Sequence, residues 1–142
     1  MKYIIDGPPV AKQSARHGKH GVYNPQSALK KIQQHEIKAQ LKPKYELIKN
    51  EPLYLVVNYY MQIPQSYTLK KQQELHGQYH KITPDTDNMT KWLQDLCSGL
   101  IFYDDAQIAA IVAQKVYDLK PRTEFSIYPA PKVHIIYKEG DY

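Results

Sequence analysis

The sequence predicts an α+β fold in a single domain spanning residues 1–142: one mixed β-sheet with helices packed mainly on one of its faces. Three observations carry this expectation. Residues 53–61 alternate Leu53, Leu55, Val57, Tyr59 and Met61 against Tyr54, Val56, Asn58 and Tyr60, the period of a strand that is apolar on one face and half apolar on the other. Residues 88–98 place Met89, Trp92, Leu93 and Leu96 at i, i+3, i+4 and i+7, the period of a helix with one buried stripe. Elements of both kinds share 142 residues, enough for one real core and too few for two.

Residues 2–6 read as a short strand, closed by Gly7-Pro8-Pro9, which lacks the donors to continue one. From 10 to 23 the chain carries Lys12, Arg16, His17, Lys19 and His20 with almost nothing to bury, so an exposed, mobile loop is expected. Asn24-Pro25 starts a helix over 25–41, since Asn caps free amides and Pro suits the first turn. Its apolar stripe, Ala28, Leu29, Ile32 and Ala39, is thin, and Lys30, Lys31, Lys38 and Lys42 make the rest basic. The strand at 53–61 takes a central place in the sheet. Residues 66–76 form a short polar helix ended by Gly77, and 88–98 a firmer one ended by Gly99. Residues 101–103, 108–117 and 133–137 read as strands, the last two separated by Pro121, Pro129 and Pro131.

Composition excludes several classes. No apolar run approaches the roughly 18 residues of a membrane span, and the N-terminal stretch lacks the apolar core of a signal peptide. A single cysteine, Cys97, forbids an intrachain disulfide and points to a reducing, cytoplasmic compartment; it is expected to be a small core residue. The net charge of +5 is unevenly spread: residues 1–50 hold ten Lys or Arg against three acids, and the remainder nine against eleven. A basic half joined to acid clusters suits an enzyme that grips phosphates with cations and holds a metal with carboxylates.

The informative stretch is Pro84-Asp85-Thr86-Asp87-Asn88-Met89-Thr90-Lys91, followed by Asp104-Asp105. Asp85 and Asp87, two apart, project to one side of an extended segment, as two ligands of a hard cation must. Lys91 falls one helical turn after Asp87. The helix carries the chain about 16 Å away, and six extended residues after Gly99 can return about 20 Å, so Asp105 can close the cluster. In a strand Asp104 and Asp105 point to opposite faces, so one of them is a direct ligand. A plainer reading makes Asp87 an N-cap, Lys91 its ion-pair partner and Asp104-Asp105 a turn. Pattern alone leaves both standing.

Lys12 and Arg16 are candidate phosphate contacts, as are Lys70 and Lys71 on the polar helix. Tyr67 and Tyr79 flank that helix and could stack on unpaired bases. His76 and His80 are four apart, but Gly77 interrupts them and no cysteine or third histidine is near, which speaks against zinc; His80 reads as an exposed loop residue.

Pro-Asp-Thr-Asp-Asn with Lys91 one turn later, then Gly99, Asp104-Asp105 and Gln107-Ile108, resembles the RusA family of Holliday junction resolvases, whose signature is Asp-x-Asp-Asn, a lysine four residues after the second Asp, and a later Asp-Asp-x-Gln. Lys12 and Arg16 ahead of Val22-Tyr23-x-Pro25, and Ile63-Pro64-x-Ser66-Tyr67 before a lysine-rich helix, resemble segments of phage-type members. The likeness covers most of the chain. One departure is Thr83, where many relatives carry a basic residue. The resemblance implies a homodimeric, Mg²⁺-dependent enzyme, with Mn²⁺ a substitute, that cuts four-way or branched DNA in recombination and repair, with no membrane and no small-molecule cofactor. It assigns Asp85, Asp87 and Asp105 as metal ligands and Lys91 as the essential lysine. It chooses Asp105 over Asp104, which becomes a supporting acid. Two other readings remain: a metal-dependent nuclease for other branched DNA, and a noncatalytic DNA-binding module.

Overall fold

The computed structural model describes residues 2–130. Its main sheet has the strand order β1-β6-β4-β5, built from β1 (Lys2–Asp6), β4 (Leu53–Gln62), β5 (Ile108–Asp118) and β6 (Arg122–Pro129). β6 runs antiparallel to both β1 and β4, while β4 and β5 are parallel. Strand β4 lies between β6 and β5, as its two-sided pattern requires. A parallel pair needs a long crossover, and here that crossover contains helices α2 (Leu69–Leu75) and α3 (Thr86–Cys97). Helix α1 (Ser27–Ala39) packs on α3 and β1. The expected mixed sheet with helices on one face is thus present.

Alternation decides which face is which. Leu53, Leu55, Val57, Tyr59 and Met61 of β4 are buried, whereas their even-numbered neighbours are half-buried. The buried side meets Met89, Trp92, Leu93, Leu96 and Cys97 of α3, together with Tyr3, Ile5, Ile37 and Phe125. Removing one such side chain, as in Leu93→Ala, is expected to cost about 2–5 kcal/mol. Cys97 takes the core position expected of it, and burial pushes its thiol up. Gly77 and Gly99 both adopt φ of +83° just past the ends of α2 and α3, a conformation few side-chain-bearing residues tolerate.

Four expectations need correction. The apolar stripe of α1 is not its buried face: Ile32 is 64% exposed, and the helix instead buries Gln33 and Ile37. Polar anchoring explains this. Gln33 Oε1 accepts from Trp92 Nε1 at 2.7 Å, Gln40 bonds both the N–H and C=O of Ile4, and Glu36 accepts from Asp6 N, so α1 caps the open edge of β1. The segment 10–23 is exposed but organised, with a small hairpin of β2 (Arg16–Gly18) and β3 (Gly21–Tyr23). Residues 101–103 form no strand; Phe102 makes only isolated bridges with Ile48 and Ser98, after a tight turn at Gly99. Finally β6 occupies a stretch read as a proline-rich separator: Pro121 precedes it and Pro129 ends it, so neither interrupts the ladder. The expected strand at 133–137 lies outside the described residues.

Candidate active site

The crossover places α3 with its N-terminal turn against the middle of the sheet. Tyr59 of β4 and Thr90 of α3 bond through their hydroxyls at 2.9 Å, and Thr90 Oγ1 donates to Thr86 O, also at 2.9 Å. One hydroxyl has one proton, so Tyr59 is the donor to Thr90. Burial pushes the Tyr59 phenol well above its ordinary value, which keeps that proton in place.

Asp85 occupies the N-cap position of α3, with φ −71° and ψ 141°, yet its side chain accepts no capping bond. Asp87 stands in the first turn and Lys91 one turn later, and all three are exposed. Among the described residues none of the three enters an ion pair. Of the plainer reading, the turn at Asp104-Asp105 is present, but among the described residues Asp87 makes no cap and Lys91 pairs with no acid.

The second acid pair divides its work. Asp104 caps the 3₁₀ turn Asp105–Gln107: its Oδ1 accepts from Ala106 N at 2.9 Å, and Gln107 Oε1 accepts from Asp104 N. The bond from Ala106 N, then the interaction with the Asp105 side chain, holds the Asp104 carboxyl below the usual range. The Asp105 carboxyl is raised, first by its hydrogen bond with Asp104, then by slight burial, then by the charges of Asp104 and Asp95. Both acids are exposed, although Phe102 just before them is buried; Tyr103 is 66% exposed.

Among the described residues no three His, Cys, Asp or Glu side chains gather into one metal-holding group. The Asp85–Asp87 pair and Asp105 are therefore not gathered into one group, and after Asp104 the acid whose charge acts on Asp105 is Asp95 of α3. The donor chemistry of the pair still fits a hard divalent cation. Two solvent-facing carboxylates, in no ion pair among the described residues, are the protein share that Mg²⁺ ordinarily takes, the remaining positions being filled by water or substrate oxygens.

The basic segment lies beside the same helix turn. Lys12 N donates to Asn88 O at 3.1 Å, and Lys12, Gln13, Ser14, Asn88 and Lys91 line one shallow groove. Gln26 fixes the segment by accepting from Gln13 N and donating to Ala11 O. Lys12 Nζ sits on Asp95 at 2.6 Å, while Arg16 is exposed on the hairpin. Lys70 and Lys71 are exposed on α2, Lys71 lying 4.4 Å above the Tyr67 ring. Tyr79 is 73% exposed and donates to Gln114. His80 is not the exposed residue expected: it is buried against Tyr117, and burial, then the Lys115 charge, lowers its pKa. His76 lies 3.3 Å from Asp118.

Two residues near the site escaped the sequence. Asp95 continues the face of Asp87 and Lys91 at i+8, a signal that helical spacing offered. Lys115 is the one ionised residue in an otherwise apolar and neutral run from Ile108 to Tyr117, and its ammonium donates to the carbonyls of Ile82 and Pro84.

The family model for endodeoxyribonuclease RusA matches residues 6–128, a span that contains Asp85, Asp87, Lys91 and Asp105. Over 97 residues the chain is 40% identical to a crossover junction endodeoxyribonuclease RusA of Lactococcus phage r1t, covering 66% of this chain and 69% of that relative.

Proposed function

The chain belongs to the RusA family of endodeoxyribonucleases, and from that premise we propose that it resolves four-way DNA junctions by hydrolysing phosphodiesters at the start of α3, with Mg²⁺ as cofactor and as a homodimer. The observation that carries this reading is the idleness of Asp85, Asp87 and Lys91. Asp85 and Asp87 at the start of α3 make no capping bond, and among the described residues neither they nor Lys91, one turn on, enters an ion pair.

In this reading Asp85 and Asp87 would hold the cation, and Asp105 is the further carboxylate assigned to it. A divalent cation supplies Lewis-acid polarisation of the scissile phosphate and activates water at neutral pH. Lys91, one turn along the helix, presents its ammonium to a phosphate oxygen as negative charge builds there. Lys12 faces the same groove and Arg16 stands on the adjoining hairpin, so both can follow the backbone leaving the site. Lys70 and Lys71 extend the basic surface from α2. Asp104 supports the site by holding the turn on which Asp105 rides.

Cleavage of a synthetic four-way junction beside a linear duplex, by the wild type and Asp87→Asn, tests the reading. Junction-selective cleavage that Asp87→Asn abolishes while retaining junction binding is expected, because a lost carboxylate also removes negative charge facing DNA. Cleavage of both substrates alike, or normal turnover by the variant, contradicts it. Among the described residues no helix is long and apolar enough to cross a membrane.

A further inference from the structure

Strands β4 and β5 place Tyr59 and Lys115 side by side in register, on the face that carries the helices. Each grips the chain beside one of the two acids at the start of α3. Tyr59 acts through Thr90 on the carbonyl of Thr86, the peptide that leads into Asp87. The ammonium of Lys115 donates to the carbonyl of Pro84 at 2.8 Å, the peptide that leads into Asp85, and to that of Ile82. The backbone of Lys115 also accepts from His80 N at 3.0 Å, so one residue ties the approach segment at three points.

Lys115 is half-buried and enters no ion pair among the described residues. Taking an ammonium partly out of water is costly unless its donors are satisfied, and here two carbonyls of one short loop satisfy them. A charged donor makes stronger bonds than a neutral one. An apolar side chain would fill this strand position more cheaply, so the cation's contribution is the loop geometry it enforces.

We propose that Lys115 is a positioning residue that fixes the orientation of Asp85 by clamping the carbonyls of Ile82 and Pro84, and so sets the affinity of the Asp85–Asp87 pair for its divalent cation. This rests on the proposed assignment of that pair as the metal site. Lys115 itself touches neither cation nor phosphate. Groups that support metal ligands in this way typically change affinity or activity by about 10–100-fold when removed.

The test titrates Mn²⁺ calorimetrically into metal-free wild type, Lys115→Met, Lys115→Gln and Asp87→Asn. Thermal melting and junction binding in EDTA accompany each titration. Lys115→Met should weaken Mn²⁺ binding about tenfold, and Lys115→Gln, which keeps a neutral donor, less. Junction binding in EDTA should be unchanged, and the cleavage lost at low metal should return as metal is raised. Should Lys115→Met fail to fold, Lys115→Gln decides. A wild-type isotherm in a folded Lys115 variant overturns the proposal, as does a uniform loss of cleavage with the metal half-point unmoved. If Asp87→Asn abolishes Mn²⁺ binding while the Lys115 variants bind normally, only the clamp falls. If Asp87→Asn also binds normally, the metal-site assignment falls with it.

Discussion

Tyr59 in the centre of the sheet donates a hydrogen bond to Thr90 of α3 at 2.9 Å, and Thr90 passes one on to Thr86 O. This is the buried polar link between the core and the helix turn bearing Asp87. Tyr59→Phe leaves the ring in place and removes the donor, so it should cost about 1 kcal/mol. Denaturant unfolding measures it; an unchanged midpoint would show that the link contributes nothing to stability.

Asp104 and Asp105 should separate by substitution chemistry. Asn caps nearly as well as Asp, so Asp104→Asn should keep most activity, while Asp104→Ala should melt at a lower temperature. Asp105→Asn should keep stability and lose cleavage. Single-turnover kinetics with thermal melting separates them, and the reverse order of activities would move the ligand role to Asp104.

How far the sequence reached depended on whether a signal was local. The alternation in β4 and the spacing of Met89, Trp92, Leu93 and Leu96 state their own burial, so sheet, helix and core were legible. The acids were legible because their spacing is short and distinctive. Helix α1 misled because its inward groups are Gln33, Gln40 and Glu36, which serve as hydrogen-bond partners of Trp92 and β1, and polar side chains read as surface. β6 was hidden by prolines whose harmlessness depends on standing at its ends. Lys115 and Asp95 take their meaning from residues far away in the chain, Pro84 and Lys12, which no local pattern announces.

Stability should depend on pH through Glu124. Burial alone would raise its carboxyl, but hydrogen bonds from Arg122 at 3.0 Å and Lys2 at 3.1 Å outweigh that and hold it lowered. A depressed carboxyl contributes stability that is complete above the unfolded value of about 4.3 and is lost as pH falls through the lower folded value. Glu124→Gln should therefore be less stable at neutral pH by roughly 1–3 kcal/mol, and the gap should narrow below about pH 4. Parallel melting curves for the two proteins across that range would contradict the linkage.

Arg16→Ala and Lys12→Ala should weaken binding across DNA sequences and flatten its salt dependence by about one unit of log-log slope for each lost phosphate contact. Lys12 must exchange Asp95 for phosphate, so Asp95→Asn should tighten binding. Slopes identical to wild type would place the hairpin and its approach away from DNA.

The most direct test of the account is single-turnover cleavage of a four-way junction by Lys91→Ala at saturating Mg²⁺. Lys91 is exposed on α3 and pairs with no acid among the described residues, so its removal should change the melting temperature little. The rate should fall by at least about a hundredfold, the scale of one lost transition-state contact. Lys91→Arg should not restore it, since a flat guanidinium does not reproduce a compact ammonium. A folded Lys91→Ala that cleaves at a near-normal rate would contradict the assignment of chemistry to the start of α3.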